Sequence, residues 1–415
     1  MTDDARREAG FRDRTRVAEA RTRLLDRVEP HDRTDPLPVS RADGRALAVP
    51  LAAARDVPGY DRAAVDGWAV RAADTFGASD RAPEAVDVLA DGTPEGADRV
   101  VPGAAARVHT GSPLPDGADA VVMVEHADRA GGVLDVFRAL GPGENVGPRG
   151  EDVEEGQQLY DAGHRLRPSD LGLLTAAGHT NAEVTARPTV GVVPTGEELV
   201  RPGTDPDPGE VTETNALTVA GLVSRWGGVP THRNPVTDDA SALRAAVQRD
   251  LHRDVVVTTG GSSVGERDLV PDVVDDMGEV LVHGVALKPG HPVALGVVEE
   301  TPVLALPGYP VACIVNAVQF LRPVLKRVGG LPCPDLPTVA ATLDRKAPSE
   351  PGVRTFVRVE LREEDGDRRA VPVRAGGSGV LSSVALADGW LVVPEDREGV
   401  PAGERVDVEL WETVP

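Results

Sequence analysis

Three glycine-bearing turns lie in the C-terminal half of the chain, and each follows a run of apolar residues. They read Pro-Thr-Gly-Glu-Glu at 194–198, Thr-Gly-Gly-Ser-Ser at 259–263 and Pro-Gly-Tyr-Pro at 307–310. Loops that follow the strands of a parallel sheet gather at one edge, where glycines let backbone N–H groups approach an anion. A single turn of this kind is more often a plain connection. Three in one region favour a site for an anionic ligand.

A fourth segment, Lys-Pro-Gly-His at 288–291, adds a cationic side chain. Lys288 is one of three lysines, with Lys326 and Lys346, in a chain whose other basic residues are arginines. A compact ammonium suits an oxyanion or a phosphate. The alternative is a solvated surface lysine, and the sequence leaves both interpretations open.

The N-terminal half carries a second set of polar turns, whose side chains include Asp61, Asp66, Thr110 and Asp152. Each turn alone is typical of a capped turn. Carboxylates that meet in a cleft can hold Mg²⁺ for phosphoryl chemistry. His109 and His291 are interpreted as ordinary polar residues, because no second His or Cys lies at metal-ligand spacing.

Around the central turns, predicted strands alternate with predicted helices. This alternation favours a parallel sheet with helices on its faces. Pro323 is expected to kink the last helix. The strands are Thr189–Val193, Val255–Thr259 and Val303–Leu306, and the helices are about Asn215–Trp226, Asp239–Leu251 and Val311–Val328.

The flanking regions show other patterns. A helix is predicted from about Arg14 to Val28, and short apolar runs from Gly67 to Leu140 predict a β-rich domain. Ser169 is expected to cap a helix, Asp170–Ala177. A small C-terminal β-barrel is predicted from the strands Thr338–Leu343, Thr355–Leu361, Trp390–Val393 and Arg405–Leu410.

The chain is strongly acidic, with 44 basic and 67 acidic residues among 415 and a net charge of −23. This balance argues against nucleic-acid binding, which needs a basic face. It is typical of proteins from saline cytoplasm, where salt screens the repulsion between carboxylates. An acidic protein from a genome rich in G and C is the alternative.

The two cysteines, Cys313 and Cys333, predict no disulfide framework. The charged N-terminus lacks the apolar segment of a signal peptide. No stretch is apolar over the ~18 residues that a membrane span needs. We therefore expect a cytoplasmic protein without a membrane partner.

Taken together, these motifs resemble the molybdopterin molybdenumtransferase family, the MoeA-type proteins that include the gephyrin E domain. The resemblance runs from about residue 14 to 413, with the motifs in family order. It rests on segments 61–70, 110–113, 149–152, 195–199, 260–268, 288–290 and 307–310.

The resemblance implies an α/β plus β multidomain fold in an elongated homodimer. Its central α/β domain would be similar to pterin-binding adenylyltransferases, with a β-rich N-terminal insert and a C-terminal barrel. The implied domains are 11–60 with 141–187 for dimerisation, 61–140 for the β-rich domain, 188–330 for molybdopterin binding and 331–415 for the barrel. The implied reaction takes molybdate and adenylated molybdopterin, with Mg²⁺, to molybdenum cofactor and AMP.

By the same resemblance, residues fall at functional positions of the family. The implied catalytic residues are Asp66, Thr110, Asp152, Glu198, Asp238, Asp268 and Lys288, with Asp61 as a further candidate. Asp238 and Asp268 would hold Mg²⁺, while Lys288, Arg358 and Ser378 would hold the oxyanion. The implied ligand-binding residues are Thr195, Gly196, Gly260, Gly261, Ser262, Ser263, Pro289, Gly290, Pro307, Gly308, Pro310, Arg358 and Ser378.

At four positions the chain departs from many relatives. Tyr309 replaces an Asn and Ala312 a Ser, while Gly284 and His291 stand where some bacterial members have Lys. Loss of hydroxyl and cationic groups leaves molybdate and tungstate both open as substrates.

Two other functions are compatible with the motifs. One is the adenylyltransferase that makes the adenylated pterin, because its fold shares the Gly260-Gly261 loop. The other is a non-catalytic pterin-binding scaffold. As a transferase, the chain would exchange ligands with molybdopterin adenylyltransferase and with apo-molybdoenzymes.

Overall fold

The computed structural model describes residues 14–89, 99–260, 269–364, 366–373 and 377–412. The chain forms two compact units. We call the first, Pro36–Asp43 with Leu47–Glu183, the N-terminal unit. We call the second the sheet unit, which consists of Met1–Asp35, Gly44–Ala46 and Val184–Pro415.

Up to residue 185, the described chain is mainly β-structure. A six-stranded sheet has the strand order β7-β4-β6-β5-β9-β8, and two small ladders pair β10 with β3 and β11 with β2. Short 3₁₀ turns cover Val39–Arg41, Ala72–Thr75 and Val124–His126. The strands are β1 (Thr34–Pro38), β2 (Leu51–Ala52), β3 (Arg62–Ala63), β4 (Gly67–Val70), β5 (Glu84–Val88), β6 (Ala104–Val108), β7 (Ala120–Met123), β8 (Ala127–Ala130), β9 (Val133–Val136), β10 (Val146–Gly147), β11 (Gln158–Tyr160) and β12 (Asn181–Thr185).

The six-stranded sheet confirms the β-rich prediction for this region. Val86, Leu134 and Val136 are buried and alternate with exposed or half-buried residues along β5 and β9, as the two-residue period of a half-buried strand requires. Trp68 on β4 packs in the same core. The guanidinium groups of Arg107 and Arg129 lie 5.2 and 5.5 Å from its ring centroid, within cation–π range.

The α-helix described in the N-terminal unit is Pro168–Ala176, so the prediction that Ser169 caps it is wrong. The helix begins earlier because Pro168 fits the first turn, where no N–H is needed. Arg167 is the N-cap residue, and Asp170 accepts hydrogen bonds from its backbone N–H at 2.9 Å and its guanidinium at 3.0 Å. His164 Nε2 lies 2.8 Å from the same buried carboxylate. These groups hold the pKa of Asp170 well below its ordinary value, although burial alone would raise it.

A six-stranded mixed sheet forms the centre of the sheet unit, in the order β16-β13-β17-β21-β20-β18. The first four strands of that order are parallel, while β20 pairs antiparallel with both of its neighbours, β21 and β18. Smaller ladders involve β14, β15 and β19. The strands are β13 (Thr189–Pro194), β14 (Leu199–Val200), β15 (Val211–Thr212), β16 (Val229–His232), β17 (Val255–Thr259), β18 (Glu279–His283), β19 (Leu287–Lys288), β20 (Ala294–Val298) and β21 (Thr301–Leu306).

The antiparallel edge is an addition to the parallel sheet that the sequence predicted. Strands β20 and β21 are joined by only Glu299 and Glu300, with Val298 opposite Thr301. A two-residue connection can join only antiparallel strands. Glu299 takes a positive φ of 55°, the conformation that such turns require and that Asn or Gly usually supplies.

Helices cover both faces of the central sheet, and the predicted ones are confirmed within a few residues. The described helices of this unit are Val17–Leu25, Asn215–Arg225, Ala240–Asp250, Val270–Met277, Pro310–Asn316, the π-helical turn Ala317–Leu321, Arg322–Val328 and Ser382–Ala385. None of those in the described ranges has the length and apolarity that crossing a membrane requires.

Pro323 lies inside the long helical segment without ending it. The π-helical turn Ala317–Leu321 precedes it, as is common where the regular helical ladder is interrupted. Proline has no N–H for the carbonyl four residues earlier, which is that of Gln319. Arg21 Nε donates to this carbonyl at 3.2 Å, and Arg21 Nη2 donates to Gln319 Oε1 at 2.7 Å.

The C-terminal strands close into a five-stranded barrel, which confirms the prediction. The closed order is β24-β25-β22-β28-β26, with β26 pairing back to β24. Phe356, Trp390 and Trp411 pack as one aromatic group. The strands are β22 (Thr338–Leu343), β23 (Ala347–Pro348), β24 (Arg354–Glu364), β25 (Asp367–Pro372), β26 (Gly389–Val393), β27 (Gly399–Val400) and β28 (Arg405–Glu409).

Candidate functional site

A cavity of about 610 Å³ opens where the parallel strands of the central sheet end. Strand β13 lies between β16 and β17, so the connection that leaves β13 runs to a strand on one side of it and the next connection leads to a strand on its other side. Ligands of open α/β sheets bind at such a switch point, outside the carboxyl ends of the strands. We call this cavity the carboxyl-edge pocket. Predicted site residues that line it are Thr195, Glu198, Gly260, Gly290, Pro307, Gly308, Pro310 and Ser378.

The floor of the pocket is formed by strand ends that hydrogen-bond to one another. Thr195 N donates to Thr259 O at 2.9 Å, and Gly260 N donates to Leu306 O at 3.0 Å. A Cβ atom at Gly260 would overlap the carbonyl oxygen of Thr195, and its φ of +113° also disfavours other residues. Glycine is therefore needed here so that neighbouring strand ends can approach closely.

The hydrogen bonds at the strand ends correct the predicted role of Gly196 and Gly260. The sequence predicted that their N–H groups face an anion. In the structure the N–H of Gly260 is taken by Leu306, and that of Gly196 by the carbonyl of Val236 at 3.1 Å. Any anion held here is bound by other donors.

The Lys288–Gly290 turn is fixed against the helix that starts at Pro310. Asn316 Nδ2 donates to the carbonyls of Gly290 and Ala312, both at 2.9 Å. A Cβ atom at Gly290 would overlap the same amide nitrogen. The turn, which includes Pro289, is therefore placed by a buried side chain that the sequence analysis did not select.

Lys288 itself lies outside the lining of the pocket. Its Nζ donates to Glu350 Oε1 at 2.6 Å, and both side chains are more than half exposed. The hydrogen bond from Lys288 lowers the pKa of Glu350. An exposed ion pair of this kind contributes at most about 1 kcal/mol, so it leaves the ammonium available to an anion.

Three of the four departures from relatives lie at the pocket. His291 lines it and is half-buried, and burial, followed by the charge of Arg14, lowers its pKa. Tyr309 is 62% exposed, and Ala312 is buried. The fourth, Gly284, takes a positive φ of 88° in the turn before Lys288.

The barrel contributes Ser378 to the pocket but not Arg358. The carbonyl of Ser378 accepts a hydrogen bond from Val311 N at 3.1 Å, at the first turn of the helix Pro310–Asn316. Arg358 lies on β24 opposite Trp390, and burial lowers its pKa. It is not a lining residue of the pocket as described.

The predicted magnesium ligands are described only in part. Val236 N donates to Pro194 O at 2.9 Å, which places the segment leading to Asp238 at the carboxyl edge. The next residue, Asp239, caps the helix Ala240–Asp250. Asp268, Gly261, Ser262 and Ser263 lie outside the described residues. In the described part of the chain, no three His, Cys, Asp or Glu side chains gather as metal ligands.

Glu213 is a buried lining residue of the pocket that sequence reasoning did not find. Glu213 is 2% exposed, as is Thr259 of the predicted 259–263 turn. A single carboxylate carries little information in a chain with 67 acidic residues. The useful signal was its place between a short strand and a helix, in Val-Thr-Glu-Thr-Asn at 211–215.

In the N-terminal unit, the structure brings the predicted Asp66 and Thr110 together. Asp66 Oδ1 accepts from the backbone N–H of Thr110 at 2.8 Å and from its hydroxyl at 3.3 Å. The backbone hydrogen bond is the main reason that the pKa of Asp66 is lowered. His109 Nδ1 lies 3.6 Å away, and both side chains are more than half exposed.

Asp56, Asp61 and Asp152 surround the Arg149 loop of the same unit. Asp61 Oδ1 accepts from Arg149 N at 2.7 Å, and Asp56 accepts from Glu155 N at 2.7 Å and from the Arg149 guanidinium. The backbone hydrogen bond from Glu155, then Arg149, lowers the pKa of Asp56. Asp152 borders a shallow cavity of about 400 Å³. We call Asp56, Asp61, Asp66 and Asp152 the N-terminal aspartates.

Comparison with protein families divides the chain into three consecutive regions. Residues 15–178 match the MoeA N-terminal region (domain I and II), and residues 191–327 match a family described as "probable molybdopterin binding domain". Residues 340–411 match the MoeA C-terminal region (domain IV).

Similar proteins extend over almost the whole chain. Molybdopterin molybdenumtransferase 2 of Mycobacterium tuberculosis is 34% identical, covering 90% of this chain and 94% of that protein. The Bacillus subtilis molybdopterin molybdenumtransferase is 31% identical, covering 88% and 87%. Two structures of the MoeA protein of Pyrococcus horikoshii, 33% and 32% identical, cover 96% of this chain and 99% and 100% of those chains, with TM-scores of 0.82 and 0.79. The chain therefore belongs to the MoeA family of molybdopterin molybdenumtransferases.

Proposed function

We propose that this chain is a molybdopterin molybdenumtransferase, which inserts molybdate or tungstate into adenylated molybdopterin and releases AMP. The observation that carries the proposal is the carboxyl-edge pocket, in a chain whose three regions match the family in order. Its volume suits a ligand of several hundred daltons. The apolar lining suits ring faces, and the polar groups among it give specificity.

The oxyanion is held by Lys288, Arg358 and Ser378 in this proposal. Ser378 lines the pocket, and Lys288 is released from an exposed ion pair at little cost. Ammonium, guanidinium and hydroxyl groups together supply charge and directed hydrogen bonds for an oxyanion. Loss of the lysines found in some relatives weakens the site, so tungstate remains an alternative substrate.

Mg²⁺ is proposed to bind Asp238 and Asp268. Two carboxylates suffice for this ion when substrate phosphates supply further oxygens. When bound, Mg²⁺ would stabilise charge on the scissile phosphate. Removal of divalent cations with EDTA is expected to stop AMP release, and added Mg²⁺ to restore it.

Glu198, Asp66, Thr110 and Asp152 complete the proposed catalytic set. Glu198 is exposed at the mouth of the pocket. The pKa of Asp66 is lowered from its ordinary value, chiefly by the backbone hydrogen bond from Thr110. We propose that these groups orient the substrate and its metal ion.

The oligomeric state, environment and transfer partners are further parts of the proposal. The chain acts as a homodimer that receives substrate from molybdopterin adenylyltransferase and delivers cofactor to apo-molybdoenzymes. A net charge of −23 favours a saline cytoplasm. The midpoint of thermal unfolding is therefore expected to rise steeply between dilute and molar KCl. A midpoint that does not depend on KCl would contradict the halophilic part.

The test of the activity is AMP release from adenylated molybdopterin in concentrated KCl with Mg²⁺, with and without molybdate or tungstate. Oxyanion-dependent release supports the transferase and identifies its metal. Pterin binding without release favours a scaffold, and formation of adenylated molybdopterin from ATP favours the adenylyltransferase.

A further inference from the structure

Glu213 presents one unused acceptor beside the carboxyl-edge pocket. Its Oε1 accepts from Ala216 N at 2.6 Å, at the start of the helix Asn215–Arg225. Its Oε2 has no hydrogen-bond partner within the described ranges. His232 Nε2 approaches Oε2 to 3.3 Å, but not with hydrogen-bond geometry. The side chain is 98% buried, since only 2% is exposed.

The backbone around Glu213 is fixed on both sides. Glu213 N donates to Val200 O at 2.9 Å. Two residues later, Asn215 Nδ2 donates to Gly308 O at 2.6 Å, which ties the helix start to another wall of the pocket. These two hydrogen bonds hold the segment 213–215 in place against the walls of the pocket.

Two threonine hydroxyl groups at the same pocket resemble Glu213 Oε2. Thr195 Oγ1 and Thr259 Oγ1 are buried, line the same pocket, and have no hydrogen-bond partner in the part of the chain that the structure describes. Buried polar atoms are nearly always hydrogen-bonded in native proteins. Three such atoms at one cavity are therefore best explained by a bound molecule that pairs with them.

We infer that Glu213 Oε2 accepts a hydrogen bond from an exocyclic amino group on a fused pyrimidine ring, and that the hydroxyls of Thr195 and Thr259 pair with neighbouring ring heteroatoms. An ionised carboxylate can only accept hydrogen bonds, whereas hydroxyls donate or accept. The ring edge must therefore present an N–H group to Glu213. The inference rests on the proposed function, because adenylated molybdopterin carries two such amino groups, one on the pterin and one on the adenine.

The test uses two pairs of small probes with the full-length protein in concentrated KCl. One pair is 6-hydroxymethylpterin and the corresponding lumazine, in which oxygen replaces the amino group. The other pair is AMP and IMP. Dissociation constants are measured by fluorescence for the first pair and by calorimetry for the second.

The wild-type protein is expected to prefer the amino member of at least one pair by about 10- to 100-fold, the value of one hydrogen bond to a charged group. The pair that shows the preference identifies the ring. In Glu213→Gln, Ala216 N holds the amide oxygen, so the NH₂ faces the ligand and the preference is lost or reversed. Equal affinities within both pairs, or a preference that Glu213→Gln leaves unchanged, would overturn the inference.

Two further variants separate binding from folding. Glu210→Gln changes an exposed glutamate three residues away and should keep the wild-type preference. If Glu213→Gln unfolds, the nearly isosteric Thr259→Val should weaken the preferred amino probe about 10-fold, and unchanged binding there also overturns the inference. The probes only bind and do not react. A chain that releases no AMP can therefore still show the preference for the amino probe, and a chain that releases AMP can still lack that preference.

Discussion

The carboxyl-edge pocket and the N-terminal aspartates hold their polar groups in opposite ways. In the pocket, Thr195, Thr259 and Glu213 are buried and keep atoms that have no hydrogen-bond partner among the described residues. Asp61 and Asp66 are exposed, yet each accepts a backbone N–H of its own unit. A buried group without a partner favours a ligand that supplies one. An exposed carboxylate that shapes a loop needs no ligand to be stable. The pocket therefore favours a bound ligand, while Asp61 and Asp66 stabilise local structure and remain exposed.

The largest expected difference between the regions comes from adding one methyl group to a glycine in each. Gly260→Ala forces a Cβ atom onto the Thr195 carbonyl and is expected to destabilise the protein by about 3–5 kcal/mol. Gly111, beside Thr110, also has a positive φ but has open space around it. Gly111→Ala should therefore cost only about 1 kcal/mol. Urea unfolding in KCl measures both, and equal costs would show that the pocket floor is not tightly packed.

The next effect is on activity rather than stability. Lys288→Ala should reduce AMP release at subsaturating oxyanion by about 10- to 100-fold, the loss of one charged contact. The free energy of unfolding should change by less than about 1 kcal/mol, because the ion pair of Lys288 with Glu350 is exposed. Lys346→Ala, at another exposed lysine, is the matched control. A structural role for Lys288 would instead appear as lost stability with normal oxyanion dependence.

A smaller effect is expected at the N-terminal aspartates. Thr110→Val removes the hydroxyl that lies 3.3 Å from Asp66 but keeps the backbone N–H, which contributes most to the low pKa. AMP release should fall about 10-fold, as for one lost hydrogen bond, while the Asp66 carboxyl still titrates below 3.8. Selective ¹³C labelling of aspartate follows this titration. Titration at or above 3.8 would mean that the hydroxyl, not the backbone, holds the charge.

The smallest effect concerns acid pH. The pKa of Asp56 is lowered in the folded state, which therefore favours the ionised carboxylate. The resulting contribution to the free energy of unfolding is fully present above pH 3.8 and is lost as the pH falls through the lower pKa of the folded state. Because the Glu155 N–H is the largest cause and Arg149 the second, Arg149→Ala should raise the titration midpoint only partly towards 3.8. A midpoint that returns fully to 3.8 in Arg149→Ala would show that Arg149, and not the Glu155 N–H, lowers the pKa of Asp56.

Helices and strands that depend on the spacing of neighbouring apolar residues could be predicted from the sequence. Val311, Ile314, Val315 and Val318 repeat at helical spacing, and the run Val255–Thr259 is a buried strand. The hairpin of β20 and β21 was missed, because Glu299-Glu300 gives no glycine or asparagine signal for its turn.

In the candidate site, too, some features could be predicted from the sequence and others could not. Turns with glycine and proline marked the strand ends around the pocket, since these residues are needed for unusual φ values and close approach. Burial of Glu213 and the pairing of Lys288 with Glu350, 62 residues away, arise only when distant segments meet. Such properties cannot be predicted from residue types in one sequence.

The most direct test of the central claim is hydrogen–deuterium exchange of the full-length protein with and without adenylated molybdopterin, in concentrated KCl. Our account predicts ligand-dependent protection of residues 195–199, 211–215 and 307–312, which border the carboxyl-edge pocket. Saturated binding that leaves these three segments unprotected would contradict it and would place the substrate elsewhere on the chain.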